Sequence, residues 1–395
     1  MKIAVVANTD WYVFNFRFNL LRALKRAGHE LVVCAPEGGY AQHFVGEQIA
    51  FRPLEIDGKG MHPLKEARSA LHLARLFRRE NVDLVLSFTP KGNIYSSFAL
   101  LGTGARQIAN VSGLGYAFIR DSVLTRFVRL LYRLALSRAA MVFFENEDDL
   151  QVFLSNRLVP RSRTGRLPGA GVDLSWFASV EQKGHSKDKP PQFLLVARML
   201  WDKGVQEFVD AARLVRIQHP QATFSLLGFL NAANPSAIPK ETIDAWVEEG
   251  IVGYLGQTDD IRPYVSQADC VVLPSYREGV PRSLLEAAAM ARPVITTDAP
   301  GCRDVIDDGK TGLLCLPRSA QDLARCMLAF IEMTPEARAA MGQMGRAKME
   351  REFDEQSVID RYVAAIDPVM SEGTLGNKIL HAQAVRCPDL NGAPE

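Results

Sequence analysis

The run from Pro274 to Ala289 holds two glutamates, Glu278 and Glu286, with seven residues between them. An apolar strand pattern ends at Pro274, Glu278, Gly279 and Val280 form a turn whose last two residues are donor-binding candidates, and Pro281 stands where it can open a helix without losing a needed backbone donor. The amides of Arg282, Ser283 and Leu284, with the positive end of the helix dipole, would then make an anion site suited to a diphosphate. Glu286, three residues past Ser283, could accept two hydrogen bonds from a vicinal diol such as a ribose. Glu278, in the turn, is placed for the hydroxyls or the anomeric region of a sugar. Upstream, one loop supplies Arg198 and Lys203, two cations that would stabilise the charge building on a departing nucleotide diphosphate. A divalent metal does that work in many enzymes that cleave such diphosphates. No Asp-x-Asp triplet occurs to hold one, so neither metal nor cofactor is expected.

The elements that must position these groups follow from periodicity. Continuous apolar runs at Lys2–Asn8, Leu31–Ala35, Leu84–Phe88 and Gln107–Val111 read as buried parallel strands. Helical spacing occupies Phe16–Ala27, Lys65–Glu80 and the residues after Asn93. A second series has strands at Phe193–Ala197, Thr223–Leu227, Val252–Leu255, Cys270–Leu273 and Pro293–Thr296, with helices at Val205–Gln218, Pro239–Glu249, Ile261–Gln267 and Ser283–Ala291. Such alternation predicts an α/β protein of two Rossmann-like, doubly wound domains facing across a cleft. The polar stretch from Glu181 to Pro191 has the composition of an interdomain linker. The expected division is a first Rossmann-like domain over 1–180, a second over 190–351, a helix over 352–370, and a disordered tail over 371–395. The first turn, Asn8 to Phe14, has no glycine, which weakens a dinucleotide-binding reading.

The Glu278 and Glu286 pair, Arg198 and Lys203, and the later Gly301–Gly312 segment resemble the signature of glycosyltransferase family 4, of GT-B fold. Arg198–Phe208, Asn234–Ser236 and Ser275–Gly279 are more narrowly similar to bacterial N-acetylgalactosaminyltransferases of undecaprenyl-diphosphate-linked glycans and to capsular polysaccharide glycosyltransferases. The likeness covers about residues 2–365 and implies that 1–180 binds the acceptor, 190–351 binds the donor, and the helix over 352–370 returns to the first domain. It implies a UDP-sugar donor, with the base held near Tyr254 and Gly256, and transfer of a hexose or N-acetylhexosamine with retention. It also implies front-face displacement, in which the leaving phosphate helps deprotonate the acceptor, a polyprenyl-diphosphate-linked saccharide. Where many members open with two glycines in the first loop, this chain has Thr9, Asp10, Trp11 and Tyr12. Two other readings stay open: a sugar-nucleotide epimerase of the same fold, and a non-catalytic nucleotide-sugar-binding protein at a membrane.

In the first domain Lys91 and Asn93 follow a strand end and are expected to face the crevice, Lys91 on an acceptor diphosphate and Asn93 on a sugar hydroxyl. Gly113 and Gly115 would let backbone approach substrate, and Arg17 and Asp10 are further acceptor-side candidates. The 395 residues, 47% hydrophobic and 23% charged, carry a net charge of only +1. That charge is divided unevenly: residues 1–180 hold 23 Lys and Arg against 15 Asp and Glu, and the remainder holds 23 against 30. A basic first half suggests an anionic membrane surface rather than nucleic acid. Within Asp121–Arg138, Arg126, Arg129 and Arg133 are expected on one helical face, with Leu124, Phe127, Leu131 and Leu134 on the other. A core helix with a solvated arginine face reads the same way in sequence. The opening apolar run is too short for a signal peptide or a membrane span, which predicts a cytoplasmic protein at the inner face of the membrane. Six scattered cysteines and seven histidines show neither a disulfide framework nor zinc-ligand spacing.

Overall fold

The computed structural model describes residues 1–56, 63–114, 123–179, 190–230 and 234–374. The linker over 181–189, Gly115 and the tail from 375 lie outside them.

The first domain is a seven-stranded, wholly parallel sheet. Its strands are β1 (Lys2–Val6), β2 (Glu30–Ala35), β3 (Ala50–Pro53), β4 (Leu84–Phe88), β5 (Arg106–Val111), β6 (Met141–Phe144) and β7 (Thr164–Arg166), in the order β3-β2-β1-β4-β5-β6-β7. The second is a six-stranded parallel sheet of β8 (Gln192–Val196), β9 (Thr223–Leu227), β10 (Gly253–Tyr254), β11 (Cys270–Leu273), β12 (Val294–Thr297) and β13 (Gly312–Cys315), in the order β10-β9-β8-β11-β12-β13. Each sheet reverses its winding at one place, β1/β4 in the first and β8/β11 in the second, where the crevice of an open α/β sheet lies. Arg198 and Lys203 follow β8 and Glu278 follows β11, so all three leave the sheet at that reversal.

Two helices start at least a full turn earlier than their periodicity suggests. α1 (Asp10–Arg26) begins six residues before Phe16, because the Thr9 hydroxyl accepts from the Tyr12 amide at 3.1 Å and caps it. The glycine-free segment is thus the first turn of a helix. α4 (Pro90–Ala99) begins at Pro90 rather than after Asn93, with proline at its first position. That start turns Asn93 inward.

The chain crosses between domains twice, at adjacent points. Val172 donates its amide to the Phe353 carbonyl at 2.9 Å, and Glu355 donates to the Val172 carbonyl at 3.1 Å. Val172 and Phe177 already pack in the core of the second sheet, ahead of the expected boundary at 180. α12 (Pro335–Glu352) packs on α10 (Arg282–Ala289) of the second domain. α13 (Glu355–Thr374) then returns Val358, Ile359, Tyr362 and Ile366 to the core of the first, and extends four residues beyond the 370 expected for it.

α5 (Val123–Leu136) departs from its expected faces. Its buried side is Thr125, Tyr132, Ala135 and Leu136, which seat it on the sheet beside α4. Phe127 (50% exposed), Leu130 (52%) and Leu134 (55%) share the open side with Arg126 and Arg133. At 100° per residue, positions 126, 127, 130, 133 and 134 fall on one face, so the arginines and these apolar groups are neighbours rather than opposites. Among the described residues no helix is long and apolar enough to cross a membrane.

Candidate functional site

The loop after β8 is stitched to the end of β11. The Ser275 hydroxyl lies 3.0 Å from the Asp202 carbonyl, which also accepts from the Tyr276 amide at 3.0 Å. Gly204, at φ +72°, lets the two strands close, since a Cβ there would strike the Pro274 carbonyl. This brings Lys203 into an ion pair with Glu278, whose Oε1 lies 2.7 Å from the Ser275 hydroxyl. The Arg198 side chain is exposed and makes no hydrogen bond or ion pair among the described residues, while its carbonyl accepts from the Leu200 amide at 2.8 Å.

α10 begins directly after Pro281. The amides of Arg282 and Ser283 have no acceptor among the described residues. Leu284 departs from expectation: its amide closes the first turn on the Pro281 carbonyl at 3.1 Å and its side chain is fully buried, so it is spent on the helix. One turn on, Glu286 Oε1 accepts from Arg282 Nε at 2.7 Å. Burial pushes the Glu286 carboxyl above its ordinary range, and the charge and hydrogen bond of Arg282 oppose that shift. Arg282 also reaches the Asn15 carbonyl of α1 and lies 5.0 Å over the Phe16 ring, so it joins the domains across the cleft. Further along, the Tyr254 hydroxyl donates to the Gly228 carbonyl at 2.8 Å, and the Gly228 amide to the Gly256 carbonyl at 2.8 Å. Among the described residues no group of three or more His, Cys, Asp or Glu is gathered as a metal would need.

Val280, beside Gly279, meets Gly169 of the first domain so closely that a Cβ on Gly169 would lie 2.8 Å from the valine Cβ. Gly113 sits against the same turn: at φ +107°, a Cβ there would lie 2.8 Å from the Gly279 amide. It therefore meets protein backbone rather than open crevice.

Of the other acceptor-side candidates, Asn93, Asp10 and Arg17 are buried in structural contacts, and Lys91 is held in an ion pair. Asn93 is fully buried on α4; its Oδ1 accepts from the Ser87 hydroxyl at 2.8 Å and its Nδ2 donates to the Asn110 carbonyl at 2.8 Å. Both ends of its amide are used, so it does not face the crevice. Asp10 is buried and accepts from the Gly38 amide at 2.7 Å and the Tyr40 amide at 2.9 Å, which holds the segment after β2. Arg17, buried over the Phe88 ring at 4.6 Å, reaches Glu145 Oε1 at 3.1 Å and the Tyr12 hydroxyl at 3.0 Å. Lys91 is half-buried and pairs with Glu66 of α3 (Pro63–Arg79) at 2.8 Å.

Sequence reasoning missed the junction between β6 and α6 (Glu147–Ser155). Glu145 stands there between Arg17, Asn110 and Gly279, and burial pushes its carboxyl upward. Asn146 and Asp149 follow. The signal was available: a four-residue apolar strand running into Asn146 with an acidic first helical turn is a helix-start pattern.

Two family models match the chain. Residues 17–170 match a glycosyl transferase 4-like domain, and residues 190–333 match the glycosyl transferases of group 1. The N,N'-diacetylbacillosaminyl-diphospho-undecaprenol alpha-1,3-N-acetylgalactosaminyltransferase of Campylobacter jejuni is 27% identical, over 94% of this chain and 99% of its own. The putative glycosyltransferase EpsD of Bacillus subtilis is 25% identical over 93% and 97%. Among solved structures, HepE of Anabaena in complex with UDP-glucose superposes with a TM-score of 0.75 at 17% identity, over 93% of this chain and 100% of that one. Sucrose-phosphate synthase of Thermosynechococcus elongatus superposes with a TM-score of 0.77 at 17% identity, over 94% and 100%.

Proposed function

We infer the reaction of this chain from its family and its cleft together: it belongs to the family 4 glycosyltransferases of GT-B fold, and it transfers a glycosyl group. The donor is a UDP-linked hexose or N-acetylhexosamine, and the acceptor a saccharide carried on a polyprenyl diphosphate. What carries this reading is the convergence of Lys203, Glu278 and the two open amides of α10 at the sheet reversal, with Arg198 leaving the same loop. The Campylobacter relative, whose name specifies a lipid-diphosphate acceptor, and the UDP-glucose held by HepE support the two substrate classes.

In the proposed reaction Arg198, Lys203 and the amides of Arg282 and Ser283 take the diphosphate, and Glu286 takes the ribose. A diphosphate entering the site competes with Glu278 for the Lys203 ammonium, which frees the carboxylate for the hydroxyls of the transferred sugar. As the glycosyl bond breaks, negative charge grows on the UDP β-phosphate, where the cations and the helix start stabilise it. The acceptor hydroxyl approaches from the same face, gives its proton to that phosphate, and the anomeric configuration is retained. No protein nucleophile and no metal are required. Tyr254 and Gly256, tied to Gly228, border the base. The test is incubation with a panel of radiolabelled UDP-sugars and bacterial membrane extract, followed by organic extraction. Label is expected in the organic phase and unaffected by chelator; label that stays wholly aqueous defeats the lipid acceptor.

The open face of α5 provides the membrane contact of this reading at the inner leaflet. Fully burying a large apolar side chain is worth about 1.5–3 kcal/mol, and neighbouring arginines add attraction to anionic headgroups. Replacing Phe127, Leu130 and Leu134 together by serine is expected to reduce co-sedimentation with phosphatidylglycerol vesicles by about tenfold or more, with UDP affinity unchanged. Equal sedimentation of the two proteins would remove α5 from the contact.

A further inference from the structure

The turn that carries Glu278 belongs to neither a helix nor a strand. Its backbone amides are tied at two places, Tyr276 to the Asp202 carbonyl and Glu278 to the Pro300 carbonyl, each at 3.0 Å. The next two backbone acceptors are held from the other domain. Asn146 Nδ2 lies 3.1 Å from the Glu278 carbonyl and 2.8 Å from the Gly279 carbonyl. No backbone donor reaches either carbonyl among the described residues.

The orientation of the Asn146 amide follows from its surroundings. Its Oδ1 accepts from the Asp149 amide at 2.8 Å, which caps α6, and its other end faces three oxygens, the third being Asp149 Oδ2 at 3.2 Å. Only the nitrogen can occupy that end. Its neighbours reinforce the same contact. Asp149, fully buried, forms an ion pair with Arg277, the residue before Glu278, and Asp148 lies 3.4 Å from Arg303. Capping needs only the oxygen of Asn146, and the nitrogen is spent across the cleft.

We propose that Asn146 is a positioning residue for glycosyl transfer: by holding the two carbonyls at Glu278 and Gly279, it aligns the Glu278 carboxylate only when the first domain is docked against the second. The proposal rests on the reading of Glu278 as the sugar-facing residue. Acceptor and donor sugar are thereby coupled through backbone, because the residue that orients the turn comes from the acceptor domain. UDP affinity does not depend on it, since the groups assigned to the diphosphate and ribose all lie in the second domain.

Asn146→Ser separates the two roles. Serine still caps a helix about as well as asparagine, but its hydroxyl is too short to reach the turn. With two hydrogen bonds lost, kcat is expected to fall about tenfold or more, while UDP affinity by calorimetry changes by less than about twofold and the thermal midpoint holds. Hydrogen exchange in the peptide over 276–280 should accelerate. Asn146→Asp also keeps the cap but sets a carboxylate against the two carbonyls, so its loss of turnover should be the greater. A kcat within about twofold of the unaltered protein for Asn146→Ser, or unchanged exchange over 276–280, overturns the proposal. If the unaltered protein transfers no label from any UDP-sugar, the proposed reaction fails, and the exchange measurement still decides whether Asn146 holds the turn.

Discussion

Lys203→Ala is expected to lower turnover with a UDP-sugar by about a hundredfold to a thousandfold, the usual loss when one preorganised group facing developing charge is removed. Lys203 has two tasks in the proposed reaction: it meets the diphosphate, and it is the ion-pair partner of Glu278. Alanine removes the cation and leaves Glu278, only slightly exposed, with the Ser275 hydroxyl as its remaining side-chain partner. UDP affinity should weaken along with kcat, in contrast to substitutions at Asn146. Arginine should restore little, because a planar fork does not replace a compact ammonium between a carboxylate and a diphosphate. Steady-state kinetics with calorimetry check this, and a Lys203→Ala protein within about tenfold of full turnover would take the lysine out of the chemistry.

Gly279→Ala is the second substitution with a large expected effect, and its argument is steric. Gly279 is not among the residues of positive φ, so alanine meets no backbone penalty there. A Cβ at this position would instead lie 2.5 Å from the Ser112 carbonyl and 2.6 Å from Glu145 Oε2, both in the first domain. The added methyl therefore acts on the approach of one domain to the other. Turnover should fall about a hundredfold or more, while UDP still binds the second domain and thermal stability changes little. Near-normal turnover would mean that this apposition of the two domains is not the one in which transfer occurs.

The proposed donor side is the more legible in sequence. Glu278, Pro281 and Glu286 lie within nine residues, so strand end, turn and helix start are all local, and the β8 loop repeats the logic with Arg198 and Lys203. Leu284 was misjudged because a first-turn amide can bond three residues back, a choice that spacing does not reveal. The acceptor side depends on contacts distant in sequence. Asn93 turned inward because α4 starts at Pro90, and its partners Ser87 and Asn110 come from two different strands. Arg17 meets Glu145 across 128 positions of sequence, and burial of that pair has no local signature. α5 was misread for a related reason: which side of an amphipathic helix faces the sheet is decided by Tyr132 and Leu136 finding their places in the core.

The double crossing at Val172 and Phe353–Glu355 makes the second domain an insertion, with first-domain structure on both sides of it in the chain. Its reading frame is contiguous, so a gene segment over about 172–353 encodes the second lobe together with its core residues Val172 and Phe353. The partner lobe cannot be cut out in the same way, because stopping at the linker strips away the helix whose Tyr362 and Ile366 complete its interior. Two tethers side by side would also confine any parting of the lobes to a hinge at that one place.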